Sequence, residues 1–403
     1  MKRIIVLNQY FYPDLASTGQ YAFDICRALA EKGFEVNVVT SQPCYSEFSL
    51  DAPEEEHLLG IRIYRISLGG IKGRHNLKTR IKGYLKYLFG AWKKSVELLR
   101  IKKFDVVITF HNPPFIGLIG AIISARYNKK FIYIPYDLHP DILVKSGWRI
   151  PFIMIIIWEI INKFIYKRAT KIIVLGERMK KVLLEKYEIP KEKIHVIPLW
   201  AKPEIMGQYV NCLNDNIRIS SDEFSLKLLY AGNMGILHPI EQILEAAKEL
   251  ENYSIKFIFI GDGIKKFKII NFIEKERLKN IELYPYLPED KFVSILNSVD
   301  ACFVVIGKGL EDLALPSRLF TFLSAGKPII TIAEKNSEIA RIVESNYCGK
   351  NVRDSYELVE ILKDLLRDQN IIIIWGTNSY KAYYKYYNKE KILNEYEKII
   401  QSV

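Results

Sequence analysis

Arg3-Ile-Ile-Val-Leu-Asn8, Tyr21-Ala-Phe-Asp-Ile-Cys-Arg-Ala-Leu-Ala-Glu-Lys32 and Glu35-Val-Asn-Val-Val-Thr40 decide the fold. A short β-rich run, a segment with helical period and a second β-rich run, in that order, imply two parallel strands joined by a crossover helix. The alternation continues through Asp105–Phe110, Phe115–Tyr127 and Lys130–Pro135, with further strands at 171–175 and 194–197. It pauses at the loop from Pro198 to Pro203 and the polar stretch Asn211–Asp222, which reads as a linker. It then resumes with strands at Leu226–Tyr230, Lys256–Ile260, Ile281–Tyr284, Ala301–Val305 and Pro328–Ile332. Helices are expected between them, at Ile240–Leu250, Phe267–Arg277, Asp290–Val299 and Ser317–Ser324.

The fold class is therefore α/β, as two doubly wound domains at 1–203 and 204–377. A Tyr- and Lys-rich terminal segment, 378–403, is expected to dock back across them. Parallel sheets bind ligands beyond the carboxyl ends of their strands, so the chemistry belongs in strand-to-helix loops facing a common cleft.

A chain of 403 residues with 49% hydrophobic and 26% charged residues is neither disordered nor a single small module. Five scattered cysteines (Cys26, Cys44, Cys212, Cys302, Cys348) form no Cys-x-x-Cys pair and suit a reduced, cytoplasmic chain. The opening Met1-Lys-Arg-Ile-Ile-Val-Leu-Asn8 has too short an apolar run for a signal peptide. The uncharged stretch Val106–Ala125 is broken by His111-Asn-Pro-Pro114, so strand, loop and helix fit it better than a membrane span. Ile150–Trp158 is intensely apolar but is interrupted by Glu159 and then Lys163, which predicts a buried or interfacial helix.

Several loops carry chemical possibilities. Ser17-Thr18-Gly19 precedes a helix expected near Tyr21, where free N–H groups and the helix dipole favour an anion; ordinary capping explains the same residues. Tyr230-Ala-Gly-Asn-Met-Gly235 and Ile260-Gly-Asp-Gly263 give two glycine-rich loops on one sheet edge, a pattern suited to phosphate. In Leu315-Pro-Ser-Arg-Leu-Phe-Thr-Phe-Leu-Ser-Ala-Gly-Lys-Pro328, Ser317 is a candidate cap. Arg318 stands in a first helical turn, where a cation is disfavoured unless it meets an anion such as a diphosphate or is simply solvated.

These strings, with Ile281-Glu-Leu-Tyr-Pro-Tyr-Leu-Pro288 and Asn346-Tyr-Cys-Gly349, resemble the retaining glycosyltransferases of the GT-B fold, family 4. Asn8-Gln-Tyr-Phe-Tyr-Pro-Asp14, Asn112-Pro-Pro-Phe115, Asp137-Leu-His-Pro140 and Pro316-Ser-Arg318 are similar to the N-acetylfucosamine transferase-like branch of O-antigen and capsule assembly. The resemblance implies donor contacts from Ser17, Thr18 and Gly19, from Gly232, Asn233, Gly235 and Gly263, and from Ser317 and Arg318, with the base near Tyr286 and Leu287. Asn233 and His238 stand where the family usually has Arg and Lys, which throws charge stabilisation of the leaving group onto Arg318. Leu313 and Thr321 replace the usual paired glutamates, leaving Thr321 as a substitute at the ribose. Asp137 and His139 follow an apolar strand and are candidates to take or orient the acceptor hydroxyl proton; capping of the next helix is the alternative. No Asp-x-Asp follows a strand, so no metal or other cofactor is expected, and the nucleotide-sugar enters as substrate.

The excess charge is concentrated. Between Ile71 and Lys103 eleven basic residues face the single acid Glu97, out of a net +12 for the whole chain. Leu77, Ile81, Tyr84, Leu85, Leu88, Phe89, Trp92, Val96 and Leu99 recur at helical spacing among Lys78, Lys82, Lys86, Lys93 and Lys94, as in an amphipathic cationic helix on an anionic membrane surface. A core-facing helix with a solvated lysine face is the alternative. Nucleic acid is disfavoured because the aromatics lie on the apolar face and no nucleic-acid-binding motif is present.

The composite expectation is a retaining, metal-independent glycosyltransferase, peripheral on the inner face of the cell membrane. It would move a sugar from a nucleotide diphosphate, UDP foremost, to a polyprenyl-diphosphate-linked glycan. A nucleotide-sugar epimerase and a catalytically silent nucleotide-sugar-binding partner of an assembly complex are the rivals.

Overall fold

The computed structural model describes residues 2–14, 16–45, 49, 51–73, 77–201, 225–236 and 238–403. The linker Asn211–Asp222, Cys212 and Arg74 lie outside them. The chain divides into two compact units, Met1–Pro198 with Ile392–Val403, and Leu199–Lys391. The divisions thus fall at 198/199 and 391/392 rather than at 203 and 378.

In the first unit the order is β1 (Arg3–Leu7), α1 (Ser17–Glu31), β2 (Glu35–Ser41), β3 (Glu55–Leu58), β4 (Ile61–Ile66), α2 (Leu77–Ile101), β5 (Val106–Thr109) and α3 (Ile116–Arg126). Then come β6 (Lys130–Tyr133), α4 (Asp141–Lys145), α5 (Phe152–Arg168), β7 (Lys171–Val174), α6 (Glu177–Tyr187) and β8 (Ile194–Val196). The sheet runs β3-β4-β2-β1-β5-β6-β7-β8, parallel except for β3 against β4. Central strands such as β5 are buried on both faces, which is why they read as unbroken apolar runs.

The β3–β4 hairpin was not expected. It is locked by Arg65, whose buried guanidinium pairs with Glu56 at 2.6 Å and donates to the carbonyls of Pro53 and Tyr12.

The long basic helix α2 packs on the sheet by a face other than its row of large apolar residues, so the core-facing alternative does not describe that row. Its buried stripe is Gly83, Tyr87, Ala91, Ser95 and Leu98, while Leu77, Ile81, Leu85 and Phe89 point outward. Gly83, Ala91 and Ser95 let α2 lie close on the sheet beside the fully buried Tyr87, and a Cβ at Gly90 would collide with Ile66. The helix α5 is likewise not buried along its apolar length, since only Asn162, Ile165 and Tyr166 are. Among the described residues no helix is long and apolar enough to cross a membrane.

The second unit has β9 (Leu226–Asn233), α7 (Glu241–Glu249), β10 (Ile255–Asp262), α8 (Lys266–Glu276), β11 (Ile281–Tyr284), α9 (Glu289–Ser298), β12 (Ala301–Val305) and α10 (Arg318–Ser324). It continues through β13 (Ile329–Ile332), α11 (Glu338–Ser345), β14 (Gly349–Val352), α12 (Ser355–Arg367) and α13 (Asn370–Ala382). Its strands are all parallel, in the order β11-β10-β9-β12-β13-β14. Leu228, Phe257, Phe259 and Phe303 fill the core against Ile243 and Leu244 of α7 and Leu358 and Leu362 of α12. The terminal helix α14 (Lys389–Gln401) rejoins the first unit from Ile392, burying Tyr396, whose hydroxyl meets that of Tyr136 at 3.4 Å. Lys2 Nζ donates to the carbonyls of Ile400, Gln401 and Val403 at its end.

Candidate active site

In the first unit, the loops beyond the adjacent strands β1, β5 and β6 bring one polar cluster together. The backbone N–H of Tyr136 donates to His111 Nδ1 at 3.3 Å, so Nδ1 carries the lone pair and Nε2 the hydrogen. His111 Nε2 therefore donates to Asp137 Oδ2 at 3.0 Å. Asn112 Nδ2 lies 3.2 Å from that nitrogen and donates to Thr18 Oγ1 at 3.3 Å, tying the β5 loop to the first turn of α1.

The His111 side chain is 1% exposed and that of Asp137 39%. A buried imidazole thus aims a partly exposed carboxylate, an arrangement suited to accepting a proton from a substrate hydroxyl. Sequence reasoning missed His111, because the residue was read as a breaker of an apolar stretch. Its position one residue before Asn112 at a strand end was the available signal.

His139 lies on the same loop, its ring 6.3 Å from that of His111 and 5.9 Å from that of Trp158. Burial, with the His111 ring adding to it, holds its pKa down to about 4, so it is neutral near pH 7. Its Nδ1 is buried without a hydrogen-bond partner. Neither Asp137 nor His139 caps the following helix: the N-cap of α4 is Pro140, with no side-chain cap bond.

Ser17, Thr18 and Gly19 form the first turn of α1 instead of preceding it, and the N–H groups of Gly19 and Gln20 both end on the Ala16 carbonyl. A Cβ at Gly19 would come within 2.9 Å of the Tyr10 backbone. Glycine is needed there because the helix crosses its own loop closely.

In the second unit the two glycine loops leave β9 and β10 level with each other, Gly232 opposite Gly261 and Asn233 opposite Asp262. Gly232, Gly261 and Gly263 have φ between 148° and 151°, and a Cβ at Gly261 would strike the Gly232 carbonyl oxygen. Only glycine fits such backbone. Met234 N–H donates to Asp262 O at 2.8 Å and Lys265 N–H to Met234 O at 2.9 Å, lacing the loops together. His238 packs beneath them, its Nδ1 against the carbonyl of Asn233 and the hydroxyl of Tyr230, and burial lowers its pKa. Lys265 is held by Glu241 at 3.0 Å and by the His238 carbonyl.

Tyr286 and Leu287 lie between β11 and α9, and Arg318 stacks its guanidinium 4.6 Å over Phe292 of α9, beside the helix they introduce. Ser317 has helical backbone and makes no side-chain cap bond, since reaching the second or third N–H needs an extended residue. Thr321 lies among buried neighbours on α10. A carboxylate nearby in the chain, Glu311 in the loop after β12, is buried and its Oε1 has no hydrogen-bond partner.

The expected membrane residues Lys78, Lys82, Lys86 and Lys93 are exposed on α2, with Trp92 partly so, and Lys86 also donates to the Leu68 carbonyl. Lys94 is a correction: it turns inward to Glu55 at 2.9 Å and Glu97 at 3.0 Å, over the Tyr64 ring.

Comparison with known proteins places both units. The profile of Glycosyltransferase Family 4 matches residues 18–204, and that of Glycosyl transferases group 1 matches residues 216–386. The chain is 25% identical over 355 residues to "Probable glycosyltransferase WbjE" of Pseudomonas aeruginosa, covering 87% of this chain and 86% of that one. It is 22% identical to WcaI of Escherichia coli K12, named for colanic acid biosynthesis, over 98% of both chains. Among solved structures it is similar to a sucrose-phosphate synthase from Thermosynechococcus elongatus, with TM-score 0.76 and 14% identity over 100% of this chain and 99% of that one. It is also similar to Anabaena HepE in complex with UDP, with TM-score 0.70 and 12% identity over the full length of both. With two family profiles in chain order and solved relatives sharing the architecture throughout, the chain belongs to the group 1 glycosyltransferases of GT-B fold.

Proposed function

We propose that the protein is a retaining, metal-independent transferase that moves a sugar from a nucleotide diphosphate, UDP foremost, to a polyprenyl-diphosphate-linked glycan at the inner face of an anionic cell membrane, in surface polysaccharide assembly of the N-acetylfucosamine transferase-like branch. The observation that carries it is the His111–Asp137 pair: a buried, tautomer-fixed imidazole aiming a solvent-facing carboxylate at the carboxyl edge of a parallel sheet. That carboxylate takes or orients the acceptor hydroxyl proton.

In the second unit the laced glycine loops offer backbone that can approach a diphosphate closely, and Arg318 supplies the fixed positive charge as the nucleotide leaves. Glu311, with its unpartnered buried oxygen, takes the ribose hydroxyls, a role the missing glutamates had left open. The HepE structure with UDP and the names of WbjE and WcaI support a nucleotide-sugar donor and a glycan product. An epimerase would need no acceptor, and a silent partner would bind donor without turnover.

The test is nucleotide release from a panel of UDP-, GDP- and dTDP-sugars, with and without membrane extract carrying lipid-linked acceptors, in the presence of a chelator. Release should require the extract, persist with chelator, and fall at least about 100-fold in Arg318→Ala. Glu311→Gln should raise the donor KM with a smaller effect on kcat. Donor binding without turnover under every condition would contradict the proposal.

A further inference from the structure

The helix α5 presents to the outside what a soluble surface ordinarily hides. Phe152 (77% exposed), Ile153, Met154, Ile157, Ile160 (64%) and Phe164 line its outer face, and Val144 and Trp148 extend the patch into the turn before it. Patches of this extent mark interaction sites. The inner face of the helix is fully employed: Trp158 packs on Phe115 at 4.6 Å and on His139, Asn162 Nδ2 donates to the His139 carbonyl at 2.6 Å, and Tyr166 packs on Tyr133. The outward residues are thus not a core face left over by a shift in register.

Charge around the patch is mainly cationic. Lys145, Arg149, Lys163 and Lys167 are exposed at its margins, Lys163 with the exposed Glu188 at 3.9 Å, while the nearby carboxylates Asp141 and Glu159 are both held by Lys186 at 2.6 Å. The patch also has a continuation. The helix α3 touches both α2 and α5, so the three share one layer, and α2 turns outward the row Leu77, Ile81, Leu85 and Phe89 (73% exposed) beside Lys78, Lys82 and Lys86.

We infer that α5 is the membrane-inserted element of this protein: it lies in the headgroup region of an anionic bilayer with its Phe152–Phe164 face in the acyl boundary, and the outward row of α2 rests on the same surface. At 17 residues, about 25 Å, α5 lies in the interface and does not span it. A second copy of the chain fits less well, because a two-fold contact over this patch would set its cationic margins against each other. The docking stands on exposure and charge alone; what it does for catalysis rests on the lipid-linked acceptor proposed above. Because Trp158 and Asn162 of α5 hold the His139 loop, docking sets the Asp137 carboxylate at a fixed height over the membrane, where a diphosphate-linked sugar emerges.

Flotation of the full-length protein, without nucleotide or acceptor, tests this with vesicles of equimolar phosphatidylglycerol and phosphatidylethanolamine and with phosphatidylcholine vesicles. The wild type should float with the anionic vesicles, and Ile153→Asp/Ile157→Asp should bind them at least about tenfold more weakly while keeping its circular dichroism and melting curve. Lys145→Glu/Arg149→Glu should weaken anionic binding and leave the phosphatidylcholine control unchanged. Brominated phosphatidylglycerol should quench a fluorescence component that Trp148→Phe removes. Undiminished flotation of the double aspartate variant would overturn the inference, as would a wild-type dimer that this variant converts to monomer without vesicle binding. Asp137→Asn should float like wild type, so failure of docking and failure of the transferase reading are separable.

Discussion

At the residue scale the site depends on which nitrogen of His111 carries its hydrogen. The Tyr136 N–H sets that choice, and the choice orients Asp137. His139 plays a different part, buried against Trp158 with its pKa lowered from 6.5 to about 4. Between these values the unfolded chain binds a proton that the native ring refuses, so stability is lost as pH falls from 6.5 toward about 4 and levels off below. Urea titrations at stepped pH should show this decline, and His139→Gln should flatten it relative to wild type; parallel profiles would refute the assignment. Because His238 and His195 are shifted the same way by burial, the difference between the two proteins carries the test.

At the element scale, legibility followed burial. Strands sealed on both faces, such as β5 and β12, appear in the sequence as apolar runs because nothing but apolar side chains fits between two helix layers. The edge strand β3, Glu-Glu-His-Leu, carries no such mark, and its partner β4 alternates as Ile-Arg-Ile-Tyr-Arg-Ile around an arginine that is itself buried. In α2 the period was legible, while the residues that pack on the sheet, Gly83, Tyr87, Ala91 and Ser95, were not, since their burial depends on how closely the neighbouring layer approaches. Among the candidate residues, Asp137, the glycine loops and Arg318 stand out in the sequence because each lies at a strand end or helix start. His111 and Glu311 do not, since what marks them is a partner distant in sequence or a buried oxygen with none. The glycine loops give the element-scale prediction. Gly261→Ala puts a Cβ into the Gly232 carbonyl at a φ of 148° and should cost about 2 kcal/mol or more in chemical denaturation; a loss below about 0.5 kcal/mol would mean the β9–β10 loops relax freely.

At the scale of the whole molecule, two predominantly parallel sheets are carried on one chain, which returns at Ile392 to finish the unit of the first of them. That return buries Tyr396 against Tyr136, the neighbour of Asp137, so the end of the chain braces the loop on which the acceptor chemistry is proposed to occur. The central claim is that Asp137 acts on the acceptor while the second unit holds the donor. It is tested most directly by transfer of labelled sugar into lipid-extractable product by Asp137→Asn at saturating donor, alongside calorimetric donor binding. The account predicts transfer at least about 100-fold below wild type with donor affinity unchanged. Transfer at the wild-type rate, or a loss explained entirely by weaker donor binding, would contradict it.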